Sequence, residues 1–124
     1  MNAPLIAIVN DTPQIVRLLE TILHEAGYHT ISYRQGAGAV DLLRATTPAL
    51  LMLNIRMEHP RAGWQVLDEL RCDRTLQRLP VLIHSAYVHI EAQVQARADP
   101  YCAVLPFFLD HATLPAVITE MLQR

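Results

Sequence analysis

The groups in this chain that could do chemistry lie just after apolar runs. Asn10-Asp11 follows Leu5 to Val9, Asn54 follows Pro48-Ala49-Leu50-Leu51-Met52-Leu53, and Ser85 closes Pro80-Val81-Leu82-Ile83-His84. Together they offer one carboxylate, two carboxamides and a hydroxyl. A carboxylate can hold a cation or attack as a nucleophile; a carboxamide donates and accepts hydrogen bonds but has no anionic oxygen to attack with. Other candidate sets fail on spacing or context. The pairs His24/His29 and His84/His89 are five residues apart, which suits no single helical face for a metal. No Ser-His-Asp set falls at strand ends. Gly36-Ala37-Gly38 lacks the strand–turn–helix context of a nucleotide loop. Cys72 and Cys102 form no CxxC and read as buried or half-buried thiols in a reducing compartment.

The apolar runs are the elements that must position those groups. Leu50 to Leu53 is an unbroken apolar stretch after Pro48, the signature of a strand buried on both faces. Leu5–Val9 and Pro80–Ser85 read the same way, and Cys102–Leu105 is a short fifth strand. Tyr28–Tyr33 alternates and is rich in β-favouring residues, so it lies nearer a sheet edge. Between the strands come helical patterns. The first is opened by Asp11 or Thr12 with Pro13, carries Ile15, Leu18, Leu19, Ile22, Leu23 and Ala26 on one stripe, and stops at Gly27. The second is short and holds Val40, Leu42 and Leu43; the third runs from Trp64 to about Cys72 after a polar loop over 56–63. The fourth, Ile90–Ala98, is weak; the last is opened by Asp110 or Thr113 and carries Leu114, Val117, Ile118, Met121 and Leu122. Five βα units imply an α/β fold with a five-stranded parallel sheet and helices on both faces. In such sheets the working site lies past the carboxyl ends of the central strands, where Asn10, Asp11, Asn54 and Ser85 fall.

Length and composition bound the rest. With 124 residues, 52% of them hydrophobic, the chain reads as one domain over 1–124 with one core. A net charge of −2 gives no broad field for nucleic acid or an anionic membrane. No apolar run approaches a membrane span, and the N-terminus has no basic region before its apolar residues, which points to the cytoplasm. All ten basic residues are Arg.

With these motifs in order, the chain resembles the receiver domains of bacterial two-component response regulators. The anchors are Ile8-Val9-Asn10-Asp11-Thr12-Pro13, Gly27-Tyr28, Leu53-Asn54-Ile55-Arg56-Met57, Pro80-Val81-Leu82-Ile83-His84-Ser85-Ala86 and Leu105-Pro106-Phe107. The resemblance covers essentially the whole chain and implies the flavodoxin-like strand order 2-1-3-4-5. It also implies phosphoryl transfer to an Asp after strand three, a Mg²⁺-binding acidic pair after strand one, a Ser or Thr after strand four and a Lys after strand five. Carried over position by position, the acceptor falls on Asn54 and the acidic pair on Asn10-Asp11. The hydroxyl falls on Ser85, and the Lys position falls on Leu105 or Phe107. The chain has no Lys under any alignment. The loop before Gly63 is one residue longer than the family pattern.

The resulting expectation is a degenerate receiver with Mg²⁺ binding weak or absent. It is non-enzymatic, carries no other cofactor, and works through contact with a histidine kinase, another signalling protein or a second copy. Its expected partner surface runs roughly from Tyr87 to Leu122, with Tyr87, Tyr101, Phe107 and Phe108 as aromatic anchors. Plainer readings stand beside these. Asp11 also suits the cap of the first helix, Ser85 the end of its strand, Trp64 a packing role beside the site, and Arg71, Arg74 and Arg78 a solvated basic face. Glu58, four residues past Asn54, reads as a solvated loop residue rather than a substitute acceptor. Alternative functions are a conventional phosphorelay receiver with an altered acceptor, or a flavodoxin-like small-molecule binder.

Overall fold

The computed structural model describes residues 3–85, 89–105 and 112–123. Five βα units follow one another: β1 Leu5–Val9, α1 Pro13–Glu25, β2 His29–Tyr33, α2 Ala39–Thr46, β3 Leu50–Leu53, α3 Ala62–Cys72, β4 Val81–Ile83, α4 Ile90–Arg97, β5 Cys102–Val104 and α5 Thr113–Leu122. All four strand pairings are parallel and the order is β2-β1-β3-β4-β5. This is the flavodoxin-like receiver architecture. The connection after β1 goes to one side and the later ones to the other, which leaves the ends of β1 and β3 side by side at the switch point.

Strand periodicity divides the core into two layers. Ala7, Val9, Leu51, Leu53, Val81 and Ile83 pack with residues of α2, α3 and α4. Ile6, Ile8, Leu50, Met52 and Leu82 pack with α1 and α5. All four residues of β3 are buried, because each successive side chain meets a helix layer. Each such Leu contributes about 1.5–3 kcal/mol by leaving water. The edge strands β2 and β5 lack this continuous burial.

Several expectations need correction. The buried stripe of α1 is Val16, Leu19, Ile22 and Leu23; Leu18 is 41% exposed and Ala26 lies in solvent. The helix is rotated so that Val16, not Leu18, continues the 19–22–23 face. Helix α3 begins at Ala62, so Gly63 belongs to its first turn and not to the loop. Cys72 is exposed, and Cys102 is half-buried. Arg71 is not a solvated residue. Its guanidinium bonds Asp99 at 2.6 Å and the Leu79 carbonyl at 2.9 Å, so the turns over 73–79 wrap around it. Among the described residues, no helix is long and apolar enough to cross a membrane.

Candidate functional site

The pocket is assembled by the ladder itself. The Asn54 N–H donates to the Val9 carbonyl (2.9 Å), and the Asn10 N–H donates to the Tyr33 carbonyl (3.0 Å). The His84 N–H donates to the Leu53 carbonyl (2.9 Å), and the Leu105 N–H to the Ile83 carbonyl (2.8 Å). These bonds extend the sheet by one residue beyond β1, β3, β4 and β5, and so fix where Asn10, Asn54 and Leu105 leave it.

Asn10 is 4% exposed, and its Oδ1 accepts the Thr12 N–H at 2.9 Å. That Asx turn bends the chain from β1 into α1. Asp11 is exposed, so it does not inherit the capping role. The N-cap is Thr12, with no side-chain cap bond. The Asp11 carboxylate instead accepts the Asn54 Nδ2–H at 3.3 Å and faces the Thr12 hydroxyl at 3.4 Å. Asn54 is half-buried, and its Nδ2 also donates to the Arg56 carbonyl at 2.8 Å. One amide nitrogen therefore lies between two hard oxygens. Asp11 and Asn54 are brought into contact, while Asn10 turns its side chain to the Thr12 N–H beside them.

Ser85 is half-buried at the end of β4 and is hydrogen-bonded or otherwise engaged. Leu105 is 1% exposed and packs into the α1–α5 layer, so its side chain is part of the core. Phe107, Tyr87 and Phe108 lie outside the described residues. Tyr101 is 38% exposed but stands at the opposite end of β5, with the Arg71 guanidinium 5.9 Å from its ring centre. Trp64 is buried and packs in the same layer as Leu53 and Ile55.

Behind Asn54 the backbone is tightly seated. The Gly63 N–H donates to the Ile55 carbonyl at 2.8 Å. A Cβ at Gly63 would lie 2.4 Å from the Asn54 carbonyl oxygen and 2.5 Å from the Ile55 Cα. Only glycine allows so close an approach of α3 to the end of β3. Ile55 fills the core below.

Glu58 has a role that the sequence reading missed. Its two carboxylate oxygens accept the Gly36 N–H at 2.9 and 3.0 Å and the Ala37 N–H at 2.9 Å. These backbone donors hold its carboxyl below the usual carboxylate range. The Gly36-Ala37-Gly38 turn does follow a strand and open a helix, which corrects the expected context, but its N–H groups face the chain's own carboxylate. Glu58 is thus a tie between the β3–α3 loop and the β2–α2 turn. A glycine-rich turn with free N–H groups was the available signal; the carboxylate 22 residues away carried none.

Burial lowers the His84 pKa from its ordinary value, because the charged imidazolium is disfavoured away from water. Among the described residues, no three His, Cys, Asp or Glu are arranged to hold a metal ion.

The family model of the response regulator receiver domain matches residues 6–101. The Escherichia coli regulatory protein AtoC is 32% identical over 111 residues, covering 88% of this chain and 23% of AtoC. The polar-differentiation response regulator DivK of Brucella ovis is 30% identical over 82 residues, covering 66% of each chain. The chain therefore spans less than two thirds of either relative's own length. Among solved structures, the receiver domain of a signal transduction histidine kinase from Syntrophus aciditrophicus superposes with a TM-score of 0.83 at 25% identity, covering 98% of this chain and 91% of that one. The Vibrio cholerae chemotaxis protein CheY4 gives a TM-score of 0.83 at 16% identity over 96% and 98% of the two chains, a likeness of fold. The strand order, the strand-end pocket and these matches together place the chain in the response regulator receiver domain family.

Proposed function

We propose that this receiver domain acts in two-component signalling through protein–protein contact, without forming an acyl phosphate at residue 54. The observation that carries this reading is the Asn54 amide, whose Nδ2 donates to both the Asp11 carboxylate and the Arg56 carbonyl. An acceptor must present an anionic oxygen to the incoming phosphorus; a carboxamide has none. The amide also sits between the two oxygens that a cation would otherwise bridge. Two carboxylates about 5 Å apart repel by roughly 3 kcal/mol at an effective dielectric of about 20, and that repulsion is what favours a divalent ion. With a single carboxylate already hydrogen-bonded, the pocket has little to offer Mg²⁺, which prefers several anionic oxygens. The absence of Lys from the chain removes the cation that would hold a transferred phosphoryl group.

The role that remains is that of a shaped surface, read by a histidine kinase, another signalling protein or a second copy. The reading is tested by exposing the protein to acetyl phosphate with Mg²⁺ and following intact mass. No phosphorylated species is expected on the native chain. A stoichiometric, base-labile gain of one phosphoryl group on the peptide containing Asn54, Glu58 or Asp11 would overturn it.

A further inference from the structure

Helix α4 is held differently from its neighbours. It buries two side chains, Ile90 and Val94, whereas α3 buries six positions from Ala62 to Leu70. Its solvent side carries Glu91, Gln93, Gln95 and other small or polar residues. Its last residue makes up the difference. The Arg97 guanidinium lies over the Trp64 ring, 4.7 Å from its centre, and donates to the Asp68 carboxylate. Trp64 and Asp68 are one turn apart on α3, so they present a single face to one cation. The Arg97 side chain is 29% exposed, and Trp64 is 5% exposed, so the stack is partly withdrawn from water. A cation on a desolvated indole is worth more than an exposed ion pair.

The same turn of α3 reaches the pocket. Trp64 follows Gly63, whose N–H is bonded to the Ile55 carbonyl and whose missing Cβ leaves room for the Asn54 carbonyl. One rigid turn thus has the residue-54 backbone at one end and the α4 cation on its flank. We infer that Arg97 latches α4 onto α3 and, through Trp64, ties the position of α4 to the backbone behind Asn54. When the first turn of α3 shifts, the indole shifts under the guanidinium, and α4 loses the contact that its own apolar residues cannot replace. The inference goes beyond the function proposed above and holds whether or not residue 54 carries phosphate.

Amide exchange followed by mass spectrometry on the full chain tests it, with Trp64, the only Trp, as an optical reporter. In Arg97→Gln, exchange in 90–97 should rise roughly tenfold while β1 and β3 keep their native protection, and Trp64 emission should shift. Asp68→Asn, on a 60% exposed side chain, should give a smaller rise confined to the same segment. Asn54→Ala should perturb both Trp64 emission and α4 exchange when Arg97 is present, and leave α4 exchange unmoved in the Arg97→Gln background. The latch is overturned if exchange rises equally along the chain, or if 90–97 is unaffected in both Arg97→Gln and Asp68→Asn. The coupling is overturned if Asn54→Ala changes α4 exchange equally with and without Arg97. No phosphodonor enters these measurements, so their failure is separate from failure of the proposed function.

Discussion

Asn54 has two N–H hydrogens on its amide, and oxygens of Asp11 and Arg56 receive them. That geometry makes the identity of residue 54 a matter of stability as well as chemistry. Asn54→Asp turns both donor contacts into oxygen–oxygen contacts, one of them charged on both sides. The variant should lose about 1–3 kcal/mol at neutral pH in chelator-treated buffer and regain part of it in millimolar Mg²⁺. Urea denaturation with and without Mg²⁺ checks this; a variant as stable as the native chain in EDTA would contradict the arrangement. Asn10 shows the complementary case of a carboxamide used structurally. It is buried and bonded to the Thr12 N–H, a turn that a charged side chain would enter at a desolvation cost.

Between elements, the β3–α3 junction makes the closest backbone approach of the four glycines. Gly63→Ala should destabilise by about 2–4 kcal/mol, because the new methyl meets backbone atoms that cannot rotate away. The loss should appear as a lower urea midpoint with an unchanged slope. This junction also marks where sequence reading stopped. The run Leu50–Leu53 announced a doubly buried strand, and the strand ends announced a pocket at Asn10, Asp11 and Asn54, because both signals are local and periodic. The start of α3 was hidden, since Ala62-Gly63 reads as loop until the packing against Ile55 is known. Glu58 and Arg71 read as solvated charges for the same reason. The Gly36 and Ala37 N–H groups lie 22 and 21 residues from Glu58, Asp99 lies 28 from Arg71, and no spacing rule connects them. Leu18 shows the opposite error, an apolar residue at plausible spacing that the rotation of α1 leaves outside.

For the whole molecule, three titrating groups point the same way. Burial lowers His84 from 6.5, the Gly36 and Ala37 N–H groups lower Glu58 from 4.5, and Thr75 with Arg44 bring Asp73 from 3.8 to about 2. Each folded value lies below its unfolded one, so the unfolded chain binds more protons as pH falls. Between pH 3 and 8, stability should therefore be highest above about pH 6.5, decline first as His84 titrates, and decline again below 4.5 as Glu58 and then Asp73 are neutralised. Urea midpoints from pH 8 to 3 should fall in two stages, with His84→Asn flattening the upper stage and Glu58→Gln weakening the lower. A midpoint that rises on acidification would contradict all three assignments. The amide at residue 54 has one more consequence, in time. An acyl phosphate is a clock: it forms, persists and hydrolyses, and its lifetime sets how long a message is remembered. On the reading proposed above, a domain whose corresponding position holds a closed pair of hydrogen bonds keeps no such record. On the proposed reading, what it conveys at any moment is how many copies are present and which partners are free to meet them.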